Sequence, residues 1–208
     1  MKIKWLGHAC FMLTSNAGTR LVTDPYDDSV GYGPLSVSAE AVCISHHHHD
    51  HDCLYAVKGS PSVYDSELSE TANGFTVRSF PAFHDDAGGK KRGANLVFRI
   101  EADGQSVAHL GDLGHYPTGA LLKFIAGADL ILIPVGGYYT IDTPTAVKIL
   151  SAARPRAAVP MHFKNAYCGF PISDESEFVR LTHAVYAQQE ELDVAKMSGV
   201  TVMKIAGK

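Results

Sequence analysis

The 208-residue sequence holds only four cysteines, Cys10, Cys43, Cys53 and Cys168, and no CxxC pair among them. Four are too few to staple a chain of this length. A disulfide scaffold is therefore excluded, and reduced thiols in a cytoplasmic setting are expected. No stretch approaches the roughly 20 apolar residues that cross a bilayer. The opening MKIKWLGHACFML is interrupted by Gly7 and His8, so it reads as strand, turn and strand rather than a signal peptide. No membrane partner is expected. A basic excess is also missing: 18 Lys plus Arg stand against 22 Asp plus Glu, a net charge of −4. That balance argues against a nucleic-acid partner held by charge. Repeats, low-complexity linkers and shifts of composition are absent, which predicts a single domain over residues 1–208. With 46% hydrophobic and 19% charged residues the chain can bury a core and is not disordered. What it has in excess is histidine. There are eleven, and five fall between His46 and His51.

The first half alternates short β-rich runs with turn signals, predicting strands at Lys2–Leu6, Cys10–Thr14, Arg20–Thr23, Ala41–Ile44, Ser62–Tyr64, Phe75–Phe80, Leu96–Ile100 and Ser106–Leu110. Asn16-Ala17-Gly18 and Ala102-Asp103-Gly104 carry the glycine of hairpin loops. In the second half, Pro117–Ala126 predicts a helix stopped by Gly127. The continuous apolar runs Asp129–Val135 and Ala157–Met161 predict strands buried on both faces. Thr143-Pro144 has the form of an N-cap and first helical proline, with the helix ending before Pro155. Asp174 and Glu177 resemble an acidic capping box ahead of a stripe of Phe178, Leu181 and Val185. Val200–Ile205 predicts a last strand. Many strands with later helices suggest packed sheets covered by helices.

Residues 44 to 52 read Ile-Ser-His-His-His-His-Asp-His-Asp, at the carboxyl end of an apolar strand. In extended backbone His46 and His48 project to one side, His47 and His49 to the other, so two imidazoles two residues apart can share an ion. Only a register starting at His46 satisfies His-x-His-x-Asp-His, which assigns His46, His48, Asp50 and His51 as ligands and leaves His47 and His49 out. A solvated histidine tract or an added tag is the bland alternative. It predicts nothing about His84, Asp112 and His162, each of which follows another strand-like run.

These residues together resemble the five-part signature of the metallo-β-lactamase-fold hydrolase superfamily: His46-x-His48-x-Asp50-His51, His84, Asp112 in Leu-Gly-Asp-Leu-Gly and His162 in Pro-Met-His-Phe. Gly7-His8-Ala9-Cys10-Phe11, Thr23-Asp24-Pro25, Gly136-Gly137 and Met161-His162 are similar to the branch that contains L-ascorbate-6-phosphate lactonases and many uncharacterised metal-dependent hydrolases. The resemblance implies an α/β fold, a four-layer αβ/βα sandwich of two mixed sheets with the metal site at one edge. It implies a binuclear metal-dependent hydrolase with one ion on His46, His48 and His84, the other on Asp50, His51 and His162, and Asp112 bridging. A bridging hydroxide would then cleave an ester, lactone or phosphoester of a small, anionic metabolite.

Asp50 and Asp112 are the expected catalytic carboxylates, Asp50 also as a proton carrier to the leaving group. Asp24 has two readings, a carboxylate orienting a ligating histidine or a turn-forming residue before Pro25. His8 reaches the site or is a satisfied turn histidine. Imidazole and carboxylate donors accept zinc, manganese, iron, cobalt or nickel; zinc is the default for a hydrolase and manganese its competitor in the lactonase-like branch. Tyr138, Tyr139, Tyr167 and Lys164 are candidate walls, Lys164 for a substrate anion. No role is assigned to His115. A phosphodiesterase or nuclease of the same fold, and a non-catalytic metal-binding protein, are the alternatives; a homo-oligomer stays open.

Overall fold

A computed structural model describes all 208 residues. In chain order the strands of the first half are β1 (Lys2–Gly7), β2 (Cys10–Thr14), β3 (Arg20–Thr23), β4 (Val37–Ser38), β5 (Ala41–Cys43), β6 (Val57–Lys58), β7 (Ser62–Tyr64), β8 (Ser69–Ala72), β9 (Phe75–Phe83), β10 (Ala94–Ala102) and β11 (Gln105–His109). The second half adds α1 (Gly119–Ile125), β12 (Leu130–Pro134), α2 (Thr143–Ala153), β13 (Ala157–Met161), α3 (Ser176–Thr182), β14 (Val185–Tyr186), β15 (Glu191–Asp193) and β16 (Gly199–Val202). No helix is long and apolar enough to cross a membrane.

Two mixed sheets form an α/β sandwich. The first runs β15-β1-β2-β3-β5-β7 and the second β14-β16-β13-β12-β11-β10-β9-β8, while β4 and β6 make a separate ribbon. Except for β1 with β15, antiparallel neighbours are consecutive in the chain: Ala102 pairs Gln105 across Asp103 and Gly104, whose φ values of 56° and 71° suit a two-residue turn. Parallel neighbours arise where a helix intervenes, α1 between β11 and β12 and α2 between β12 and β13. All five residues of β12 and of β13 are buried, as their unbroken apolar sequences require. Fifty-four buried residues drawn from both sheets form one cluster, and the four cysteines are free and buried.

Several local expectations are corrected. The cap of α2 is Asp142, whose carboxylate accepts from the Thr145 N–H at 2.9 Å, and the Thr143 hydroxyl donates to the Val135 carbonyl instead. The Asp174 carboxylate accepts from Ser176 N and Oγ ahead of α3, which runs only to Thr182. His183 closes that helix in the left-handed conformation, and Val185, 62% exposed, leaves it to pair β16. Of the expected stripe only Phe178 is buried. The last strand ends at Val202, with Ile205 making an isolated bridge to Trp5. Strands β4, β6, β8, β14 and β15 went unpredicted because each has only two to four residues, too few to show an alternation.

Candidate metal centre

Loops from both sheets converge at one edge of the sandwich. From the first sheet come the β1–β2 turn with His8, the end of β3 with Asp24, and the segment after β5 with His46 to His51. From the second come His84 after β9, Asp112 after β11 and His162 after β13. His8, Asp24 and His162 adopt positive φ values of 51°, 39° and 51°. For residues with a Cβ this costs on the order of 1 kcal/mol each, and it turns each side chain back toward the shared edge. Gly111, before Asp112, also has positive φ, and a Cβ there would strike the Asn95 amide and the Ser45 side chain.

The Asp112 carboxylate lies at the middle, 1% exposed. Its Oδ2 is 3.2 Å from His84 Nε2, 3.2 Å from His162 Nε2 and 4.0 Å from His46 Nε2, and its Oδ1 is 3.4 Å from His51 Nε2. Donor atoms of His46, His48 and His84 lie within 4.8 Å of one another, and so do those of His8, Asp50, His51 and His162. His46, His51 and Asp112 make a third such group. All seven expected ligands are thus brought together. His48 is the exposed one, and His47 and His49 stay outside these groups.

A layer of polar groups fixes the imidazoles. Asp24 Oδ2 accepts from His51 Nδ1 at 2.9 Å and from the Ser45 hydroxyl at 2.6 Å, and Asp24 Oδ1 accepts from the Ser45 N–H at 2.7 Å. Ser45 Oγ lies 2.9 Å from His46 Nδ1. With Nδ1 of both rings so engaged, His46 and His51 turn Nε2 toward Asp112. Asn95 accepts from the Asp112 N–H at 2.8 Å and donates to the Leu110 carbonyl. His109 receives the Gly111 N–H and hydrogen bonds the Ala9 carbonyl. His8 Nε2 is 3.1 Å from Asp50 Oδ2.

Burial pushes His8 down to about 4 and His46 to about 3, so both rings are neutral donors of a lone pair at pH 7. Burial also opposes charge on His51, but Asp112, Asp50 and Asp24 outweigh it and raise its pKa well above the ordinary value. Asp112 is held well below the carboxylate range: burial works against its charge, and His162 and His51 outweigh it.

Divalent ions fit these residues on the structure's own terms. His46 Nε2, His51 Nε2 and Asp112 Oδ1 are buried and make no hydrogen bond, a rare condition that calls for a partner. Donors sharing a tetrahedral ion at about 2.0–2.1 Å stand about 3.3 Å apart, and the spacings around Asp112 bracket that value.

The family model described as a beta-lactamase superfamily domain matches residues 2–162, a span that ends on the last of the expected ligands. The chain belongs to the β-lactamase superfamily. Within this superfamily it is 33% identical over 196 residues to a UPF0173 metal-dependent hydrolase of Opitutus terrae, covering 79% of this chain and 86% of the relative. It is 29% identical over 206 residues to another from Archaeoglobus fulgidus, covering 84% and 87%. A Thermotoga maritima protein assigned to the Zn-dependent hydrolases of the metallo-β-lactamase superfamily superposes with a TM-score of 0.79 at 36% identity, covering 97% of each chain.

Over this superfamily core lies a cavity of about 310 Å³, walled by His48, His49, Arg92, Tyr139 and Phe170 with Asp50, His84, Asp112 and His162 at its floor. Three expectations for the walls are corrected. Lys164 does not line it, because its Nζ donates to the Phe170 carbonyl at 3.0 Å. Tyr138, 68% exposed and at positive φ, turns toward a neighbouring cavity, and Tyr139 takes the wall. Tyr167 is away from both, and His115 lines only the neighbouring cavity. Arg92, Ser45, Asn95 and His109 were missed. A lone Ser or Asn within an apolar strand carries no signal, and Arg92 sits in a Gly-Gly-Lys-Lys-Arg-Gly run that reads as solvated loop.

Proposed function

We propose that the chain is a binuclear metal-dependent hydrolase acting on an ester, lactone or phosphoester of a small metabolite. The observation that carries this reading is the Asp112 carboxylate with four imidazole Nε2 atoms within 4.0 Å, two of them without a hydrogen bond. His46, His48 and His84 would hold one ion, Asp50, His51 and His162 the other, and Asp112 both. Ions so held, zinc by default for this donor set and manganese next, would supply a hydrolytic nucleophile near neutral pH and polarise the attacked group.

The chain's own residues then have distinct tasks. Asp24 and Ser45 keep His51 and His46 in the tautomer that offers Nε2 inward. Asn95 and the absence of a Cβ at Gly111 fix the Asp112 backbone. Asp50 Oδ2 accepts from His8 and, 3.5 Å from His51 Nε2, is also the oxygen that would meet the ion, which leaves Oδ1 to take a proton from the attacking water and give it to the leaving group. Phe170 and Tyr139 give the cavity its apolar walls. A cavity of about 310 Å³ suits a small molecule.

Elemental analysis of protein purified without chelator tests the reading: it should approach two ions per chain. A stoichiometry that never exceeds one under saturating metal overturns the binuclear assignment. Chelation should also lower the melting temperature, since the ions stabilise only the folded state.

A further inference from the structure

The chain has seven arginines. Arg20, Arg78, Arg99, Arg156 and Arg180 are each paired with a carboxylate, and Arg154 is exposed. Arg92 differs from all of them. It is half-buried, its guanidinium joins no ion pair and no side-chain hydrogen bond, and its contact is the face of Tyr139, 5.5 Å from the ring centroid. It is also the only lysine or arginine among the nine residues around the cavity. A partly desolvated guanidinium without a carboxylate has its planar fork free for an incoming oxyanion.

The loop that carries it is built to hold it in place. Asp85 accepts backbone N–H bonds from Ala87, Gly89, Lys91 and Arg92 at 2.7 to 2.9 Å. The same loop closes on itself where the His84 N–H donates to the Gly93 carbonyl at 3.0 Å. His84 and Arg92 are therefore the two ends of one closed loop, so the cation stands at a set spacing from the metal-binding floor. Beyond it, a second cavity of about 570 Å³ shares Arg92 and Tyr139 with the first. Lys91, the other cation there, is spent on Asp86 at 2.7 Å. Arg92 stands at the junction, between the reacting centre and room for the rest of a longer molecule.

We infer that Arg92 is the specificity residue of the site: it binds an oxyanion, a carboxylate or a phosphate, that the substrate carries away from the bond to be cleaved. The inference rests on the hydrolase reading and names the class of substrate for it, a role for which Lys164 is already engaged elsewhere.

The test titrates inorganic phosphate and, separately, succinate into wild-type protein, R92K and R92M, each as purified and after dialysis against chelator, with metal content measured throughout. R92M keeps an unbranched apolar side chain against Tyr139 and loses the charge; R92K keeps the charge and loses the fork. In both metal states R92M should weaken binding of at least one anion by about ten- to a hundredfold, with R92K between. The anion more affected tells phosphate from carboxylate. A matched pair, mono-4-nitrophenyl succinate and 4-nitrophenyl acetate, then reads position: the ratio of their KM values should rise by the same factor in R92M. Wild-type protein that binds neither anion, or R92M that binds both as tightly as wild type, overturns the inference. If metal-loaded protein cleaves no ester, lactone or phosphoester while anion affinity still depends on Arg92, it is the hydrolase reading that fails and the anion site that stands.

Discussion

Around Asp112, side chains are held by other side chains: Asp24 takes His51 and Ser45, Ser45 takes His46, and Asn95 takes the Asp112 backbone. Around Arg92, one carboxylate, Asp85, gathers the backbone N–H groups of a single surface loop, and the guanidinium itself has only an aromatic face beneath it. The floor is buried and contributed by six segments from two sheets. The rim comes largely from short loops. A change in the floor therefore propagates through shared partners, while a change at the rim alters one contact. Reaction type and substrate choice are thus built on separable parts, the first on the scaffold and the second on loops free to vary.

The largest break in this comparison should come from Asp112→Asn. The amide keeps the shape and removes the charge that four imidazoles face, so stabilisation of several kcal/mol at the reacting centre is lost. Turnover of charged and neutral esters alike should fall by about a thousandfold. Steady-state kinetics at matched metal content checks this, and selective loss with anionic substrates alone would contradict the division of labour.

Asp24→Asn probes the layer behind the floor. Asp24 touches no substrate, yet its carboxylate fixes His51 and Ser45, so metal affinity should drop by about ten- to a hundredfold. Competition with a chromogenic chelator measures it. Unchanged affinity would mean that the rings are oriented by packing alone.

At the rim, Asp85→Asn should have a smaller and pH-dependent effect. Burial works against charge on Asp85, and four backbone N–H donors outweigh it, holding its carboxyl below the ordinary range. Its stabilising contribution is then present above the unfolded pKa of about 3.9 and lost as pH falls through the lower, folded value. Melting temperatures between pH 6 and 2 should show wild type declining more steeply in acid than the variant. Phosphate affinity should fall with the loop, because Arg92 loses its anchor.

The floor was legible in the sequence because chemistry confines it to few residue types at strand ends. The spacing of His46, His48, Asp50 and His51 admits one register, and His84, Asp112 and His162 each close an apolar run. The sheets were legible for the same reason: β12 and β13 are too apolar to lie anywhere but inside. The rim was not. Lys164 and Tyr138 were reasonable neighbours by sequence, but side-chain direction depends on turns with positive φ that no periodicity encodes. Arg92 lies eight residues beyond His84, in a loop whose closure rests on Asp85 and only tertiary structure reveals. Val185 failed likewise, since pairing with β16 won over helical spacing.

The smallest effect, and the sharpest test of register, belongs to His47 and His49. Side chains alternate after β5, and the His51 and Asp52 N–H groups both bond the His48 carbonyl, at 2.8 and 3.1 Å, which turns the chain so that Asp50 and His51 face inward. His47 is left beside Asp52 and Asp65, and His49 beside Asp27 and Ser29, all at the outer side of that turn. His47→Ala and His49→Ala should therefore keep two ions per chain and shift stability by no more than about 0.5 kcal/mol, as for ordinary surface positions. His49 also borders the cavity, so its variant should differ in substrate affinity but not in metal content. His46→Ala and His48→Ala, one residue away on the other side of the chain, should each lose an ion. Parallel elemental analysis of the four variants reads the register directly, and equal metal loss from His47→Ala and His46→Ala would show that the alternation does not govern the loop.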